Sequence, residues 1–138
     1  MKKIVIIMIC FFLVKSSYTK AQVTDTLTYL QQIVANKNNY IGKPFSTLEK
    51  DLQIRAKSFC PYADITYDIS KETSTFIGFI NPITMEDFSF PGLIIYWQPY
   101  LNHKTADSLY TKAGGGWTPE VDSFYSSGII KDIRILQP

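Results

Sequence analysis

Apolar and polar positions recur along this chain with two different periods, and the change of period marks where helices give way to strands. From Thr24 to Asn39, the residues Leu27, Leu30, Ile33 and Val34 fall on one stripe at helical spacing. This predicts an amphipathic helix with Asp25 or Thr26 at its start and the Asn38-Asn39 pair at its end. Gly42 and Pro44 make a turn. Ser46-Thr47-Leu48-Glu49 then has the order of a capping box, in which the serine oxygen accepts from the Glu49 backbone N–H and the Glu49 side chain reaches back. It would head a short second helix with Leu48 and Leu52 on one face.

Beyond Leu52 the period becomes two. Ile54 to Phe59 reads as a strand that Pro61 interrupts, because proline has no N–H to give to a ladder. Ile65, Tyr67 and Ile69 alternate with Thr66, Asp68 and Ser70, the pattern of a half-buried strand. Lys71-Glu72 reads as a tight turn and Thr73 to Ile80 as the returning strand, so residues 64–80 are expected to form a hairpin. Asn81 to Gly92 carries Pro82, Pro91 and Gly92 and reads as a loop. Leu93 to Gln98 is an unbroken apolar run, the mark of a central strand. Asn102 to Ala113 predicts a helix stopped by Gly114, Thr118-Pro119-Glu120 a short helical turn, and Ile129 to Leu136 a closing strand. The order α-α-β-β-β-β-α-β, with strands joined through short turns, favours antiparallel pairing. The expected class is α+β: two layers, a mostly antiparallel four- to five-stranded sheet with helices on one face.

The N-terminal segment stands apart from this pattern. Lys2 and Lys3 precede Ile4 to Val14, an apolar run of eleven residues. A membrane-spanning helix needs about 20. Thr19 and Ala21 then occupy the two small positions before a cut. Residues 1–21 are therefore expected to be a secretory signal peptide, and 22–138 a single exported domain, periplasmic or extracellular. Cys10 lies inside the apolar run, the wrong context for a lipid anchor. Removing the segment takes Lys2, Lys3, Lys15 and Lys20 and no acids, leaving ten basic against twelve acidic residues, net −2. Such a chain lacks the basic footprint of a nucleic-acid binder, and after cleavage no integral membrane span is expected.

Few residues carry recognisable chemistry. Cys60 opens the stretch Cys60-Pro61-Tyr62-Ala63, in which Ala63 stands where a redox motif has its second cysteine, and a strand pattern follows where that motif needs a helix. Cys60 is expected to be a buried thiol. His103 is the only histidine, and one histidine without further nitrogen or sulfur ligands does not make a zinc site. The carboxylates pair locally as Glu86-Asp87 and Glu120…Asp122, without calcium-loop spacing, and solvated roles are expected for them. Gly114-Gly115-Gly116 lacks the lysine and the preceding strand of a phosphate loop. Neither metal nor cofactor is implied, and no catalytic residue is assigned. Trp117 beside the glycines, and Phe88 and Phe90 in the 81–92 loop, are the candidate binding residues, because aromatics on loops serve contact surfaces.

Tyr40 to Leu52, YIGKPFSTLEKDL, with the aromatic-rich strands after it, resembles small exported proteins of Bacteroidetes-type bacteria. The same turn glycine, Ser/Thr cap and short helix resemble the helix start of the small α/β repeat shared by the outer-membrane assembly lipoprotein BamE and β-lactamase inhibitory proteins. This chain lacks the lipid-bearing cysteine of BamE, and neither likeness brings a catalytic residue. The expected function is a non-catalytic exported binding or interaction module, of inhibitor, immunity or envelope-accessory type, acting on a protein or a small envelope ligand. The alternative is a small secreted hydrolase or thiol enzyme using Cys60 with His103, or a carboxylate pair.

Overall fold

A computed structural model describes residues 25–81 and 88–138. The expected signal segment 1–21 and the Glu86-Asp87 pair lie outside the described residues. The elements run α1 (Thr26–Ala35), a 3-10 turn (Lys37–Asn39), α2 (Phe45–Asp51), β1 (Ser58–Tyr62), β2 (Lys71–Gly78), β3 (Gly92–Asn102), α3 (His103–Ala113), α4 (Pro119–Tyr125) and β4 (Ile130–Leu136). The strands form an antiparallel sheet in the order β1-β2-β3-β4, so the fold is α+β as expected. No helix among the described residues is long and apolar enough to cross a membrane.

Register explains the two layers. Phe59, Ile77, Leu93 and Ile135 form one row across the four strands, and Pro61, Thr75, Ile95 and Ile133 form another on the same face. Here α1 packs on β3 and β4, and α3 on β1, β2 and β3. Leu30, Phe45, Leu48, Trp97, Val121 and Tyr125 complete this core. Cys60, Phe76, Ile94 and Arg134 alternate onto the opposite face. There Phe88 covers Phe76 edge-on, with ring centroids 5.0 Å apart.

Four expectations change. The Ile65–Tyr67–Ile69 run is no strand: Tyr67 is 94% and Ile69 72% exposed. Asp68 there accepts from the Ser70 backbone N–H at 3.2 Å, and this local turn wins over the alternation. The hairpin is instead β1 against β2. Pro61 sits inside β1, paired with Thr75, as an edge strand permits. Lys71 and Glu72 belong to β2 rather than to a turn. Finally, α2 starts at Phe45 after Pro44 and has no side-chain cap. Its first N–H groups find backbone carbonyls instead, Phe45 donating to Gly128 at 2.8 Å and Ser46 to Ser126 at 3.0 Å. No capping box forms, which leaves the Glu49 side chain available for another partner.

Each edge of the sheet is covered over part of its length, β1 around Phe59 and β4 around Ile130, at opposite ends of the sheet. On β1, the Phe59 N–H donates to Gly115 O at 2.9 Å and the Trp117 N–H to Lys57 O at 2.9 Å. On β4, Gly42 donates to Ile130 O at 2.8 Å, and Ile130 donates to Lys43 O at 3.0 Å.

Candidate functional site

Helix α4 is built to hold a rigid wall. Thr118 accepts from the Val121 N–H at 3.3 Å, and Pro119 occupies the first turn, where a missing N–H costs nothing. Glu120 and Asp122 stand in that turn, where negative charge suits the helix dipole. Gly114 and Gly115, at φ 60° and 78°, take the left-handed backbone that ends α3 and brings the chain to Trp117. Trp117 is locked from three sides. Its backbone bonds Lys57, its indole N–H donates to Asp122 Oδ1 at 3.2 Å, and its ring stacks on Tyr125 with centroids 5.7 Å apart and planes 21° apart. Phe45 and Phe59 each pack against it at 6.0 Å.

Trp117 and Asp122 form one side of a cleft of about 690 Å³. Glu49, Lys50 and the 53–56 segment form the other, with Arg55 among the lining residues. The Glu49 and Asp122 side chains lie within hydrogen-bonding reach of each other. Two carboxylates this close cannot both ionise without strong repulsion. Burial, the hydrogen bond to Asp122 and the Asp122 charge together push Glu49 from 4.5 up to about 7. The pair therefore holds a proton near neutral pH. Among the described residues, no lysine or arginine forms an ion pair with either member.

A second carboxyl lies under the same helix. Glu72 is completely buried. Its Oε1 accepts from the Tyr125 hydroxyl at 2.8 Å and from Thr75 Oγ1. Thr75 Oγ1 in turn accepts from the Trp97 indole N–H at 2.8 Å. Glu72 Oε2 is buried without a hydrogen-bond partner. Desolvation pushes Glu72 up to about 7, against the two hydroxyl hydrogen bonds, which pull the other way. The Tyr125 ring joins the two sites, stacking on Trp97 at 5.7 Å on the inner side and on Trp117 at the cleft.

Of the three candidate binding residues, Trp117 alone borders the cleft. Phe88 is half-buried on the far face of the sheet against Phe76, and Phe90 is exposed in the same connection. The structure therefore does not bring them to Trp117. Glu120 is paired with Lys112 at 2.7 Å in solvent, away from Asp122. Cys60 is buried at 8% exposure. It aligns with Phe76, whereas His103 bonds Ser70, beyond the other end of β2. At the usual rise per strand residue that separates them by about 16–20 Å along the sheet, and no dyad forms. The described residues contain no group of three histidine, cysteine or acidic side chains able to hold a metal. Sequence reasoning missed Glu49, because it was assigned to a cap, and Glu72, because it was assigned to a turn. Asp122 was visible as half of the Glu120…Asp122 pair, for which a solvated role was expected; it is instead half-buried and accepts from the Trp117 indole N–H. Compared with protein-family models, curated proteins and solved structures, the chain finds no match in any of the three.

Proposed function

We propose that this protein is a non-catalytic exported binding module, of inhibitor, immunity or envelope-accessory type, whose partner seats in the cleft between α2 and α4. The observation that supports this reading best is the rigid placement of Trp117 beside a carboxyl pair with no basic partner. A preorganised aromatic flanked by polar groups is how small interfaces concentrate affinity. Lys50 and Arg55 line the cleft together with Asp122 and Trp117, so it offers both signs of charge. That suits a segment of a protein chain carrying a lysine or arginine for the carboxyls and an acid for Arg55.

The hydrolase alternative has one feature in its favour, the Glu49 carboxyl held above its ordinary range by burial and by Asp122. Its geometry argues the other way. Directly hydrogen-bonded carboxyls are closer than the roughly 5 Å of a retaining glycosidase and leave no room for the water of an inverting one.

The test is a chemical-shift titration of the exported chain with short peptides bearing one lysine and one glutamate, run beside neutral oligosaccharides. The expected result is perturbation at the Trp117 indole N–H and residues 53–56, lost in Trp117→Ala. Perturbations confined to the Phe88–Phe90 face would move the site there, and turnover of any probe would overturn the non-catalytic reading.

A further inference from the structure

Helix α4 is held from both sides by carboxyl groups that lack a cation. On its cleft side, Asp122 meets Glu49 of α2. On its core side, Tyr125 donates to Glu72 of β2. The helix has only seven residues, and glycines flank it at 114–116 and 128. We propose that α4 is a proton-operated clasp: with Glu49 and Glu72 carrying protons it is shut against α2 and the sheet, and with both ionised it lifts, exposing Trp117 and widening the cleft. The clasp would regulate the binding site proposed above and rests on that reading for its biological use, though not for its existence.

The physical argument is local. Ionising Glu49 beside Asp122 places two negative charges across the α2–α4 contact. Lys50 and Arg55 are the charged groups that line the cleft with them, and neither forms an ion pair with the two acids. Ionising Glu72 leaves a buried anion, which costs several kcal/mol unless water reaches it. The groups around Glu72 are Thr75 on its own strand, Tyr125 of α4, and Trp97 of β3 behind Thr75. The Cys60 thiol of β1 lies close enough to act electrostatically on Tyr125. From α3 the buried residues are Ala106 and Leu109, which carry no charge. His103, at the start of α3, has a buried Nδ1 without a hydrogen-bond partner, and no cation is among the groups that shift Glu72. The cheapest relief is to open the smallest cover, and local opening follows the least stable segment. That segment is α4. Both carboxyls are pushed up to about 7, so they titrate together around neutral pH.

Amide hydrogen exchange tests this on the ligand-free chain at pH 6 and pH 8.5, with rates corrected for intrinsic chemistry. The reporters are the α4 amides of Asp122 and Ser126, which donate to Thr118 O and Asp122 O at 2.9 Å. Their opening is expected to rise at least tenfold between the two pH values, and by more than that of α1 and β3 amides, whose rise follows only the general fall in stability. Glu49→Gln with Glu72→Gln, which keeps the shapes and removes both titrations, is expected to abolish the rise. Equal responses in α4 and α1, or an unchanged rise in the double variant, would overturn the clasp. The wild-type comparison needs no variant to fold. An α4 response in a chain that binds none of the peptide probes would sink the binding reading and leave the clasp standing. Peptide binding with no α4 response would do the reverse.

Discussion

The carboxyls of Glu49 in α2 and Asp122 in α4 meet across a cleft with no lysine or arginine paired to either among the described residues, and one proton resolves their repulsion. That proton makes a folding contact depend on pH in a direction opposite to most surface acids.

Stability is expected to fall as pH rises. Glu72 sits near 4.5 when unfolded and about 7 when folded. The folded state therefore binds the extra proton between those values. Its contribution is fully present below about 4.5 and is lost by the time pH has passed about 7. Each pK unit is worth about 1.4 kcal/mol, so the loss from Glu72 is at most about 3.5 kcal/mol. Glu49 acts in the same direction and window but is only half-buried, so solvent shrinks its share. Denaturant melts at pH 5 and pH 8 measure the sum, and a chain more stable at pH 8 would contradict it.

Glu72→Gln is expected to be nearly neutral at pH 5 and stabilising by about 1–3 kcal/mol at pH 8, since the amide oxygen still accepts from Tyr125 and Thr75 while no charge is buried. Comparing its pH profile of stability with wild type checks this. A variant less stable than wild type at pH 8 would mean that the carboxylate is tolerated ionised.

Tyr125→Phe removes the hydroxyl that helps Glu72 carry charge. The loss is expected at about 1–2 kcal/mol. Because that hydrogen bond lowers the Glu72 pKa, its removal moves the alkaline decline to higher pH. A midpoint that stays put would show that desolvation alone sets the titration.

Trp117→Phe keeps much of the packing against Phe45, Phe59 and Tyr125 but removes the N–H on Asp122. The stability cost is expected near 1 kcal/mol, against about 2–4 for Trp117→Ala. Loss of the indole N–H leaves Asp122 Oδ1 without that donor, beside the Glu49 carboxyl. Infrared carboxyl bands with and without the substitution read this directly.

Cys60 should react with a bulky thiol reagent only as the protein unfolds, given its burial in the β1 strand. Labelling in the native state at a rate comparable to a small-molecule thiol would put it at an open surface.

Much of the fold was legible because its signals were local. Asn102 caps α3 by accepting from Thr105 N–H, Gly114 ends it in the left-handed region, and Thr118-Pro119 starts α4. The run Leu93–Gln98 lies within the central strand β3. The site was hidden because its signals are long-range. Glu49 follows a serine at capping distance, and only the carbonyls of Ser126 and Gly128, far along the chain, remove the need for that cap. Glu72 falls where the β2–β3 register shifts between Glu72 and Ser74, which puts it out of phase with the alternation after it. The Ile65–Tyr67–Ile69 stripe misled for the opposite reason: a true period of two in a segment that Asp68 and Ser70 fold into a turn.

The covered edges of the sheet set the manner in which this protein meets others. On β1, Gly115 occupies the Phe59 N–H, and Pro61, two residues on and facing the same way, has none to offer. On β4, the Ile130 backbone is taken by Gly42 and Lys43, and the Ile133 N–H by the Asp132 carboxylate at 2.9 Å. A foreign strand approaching either margin finds part of its docking rungs already filled. Self-association by sheet extension is therefore disfavoured, and recognition falls to side chains: a partner must be read by shape and charge rather than grafted on as another strand.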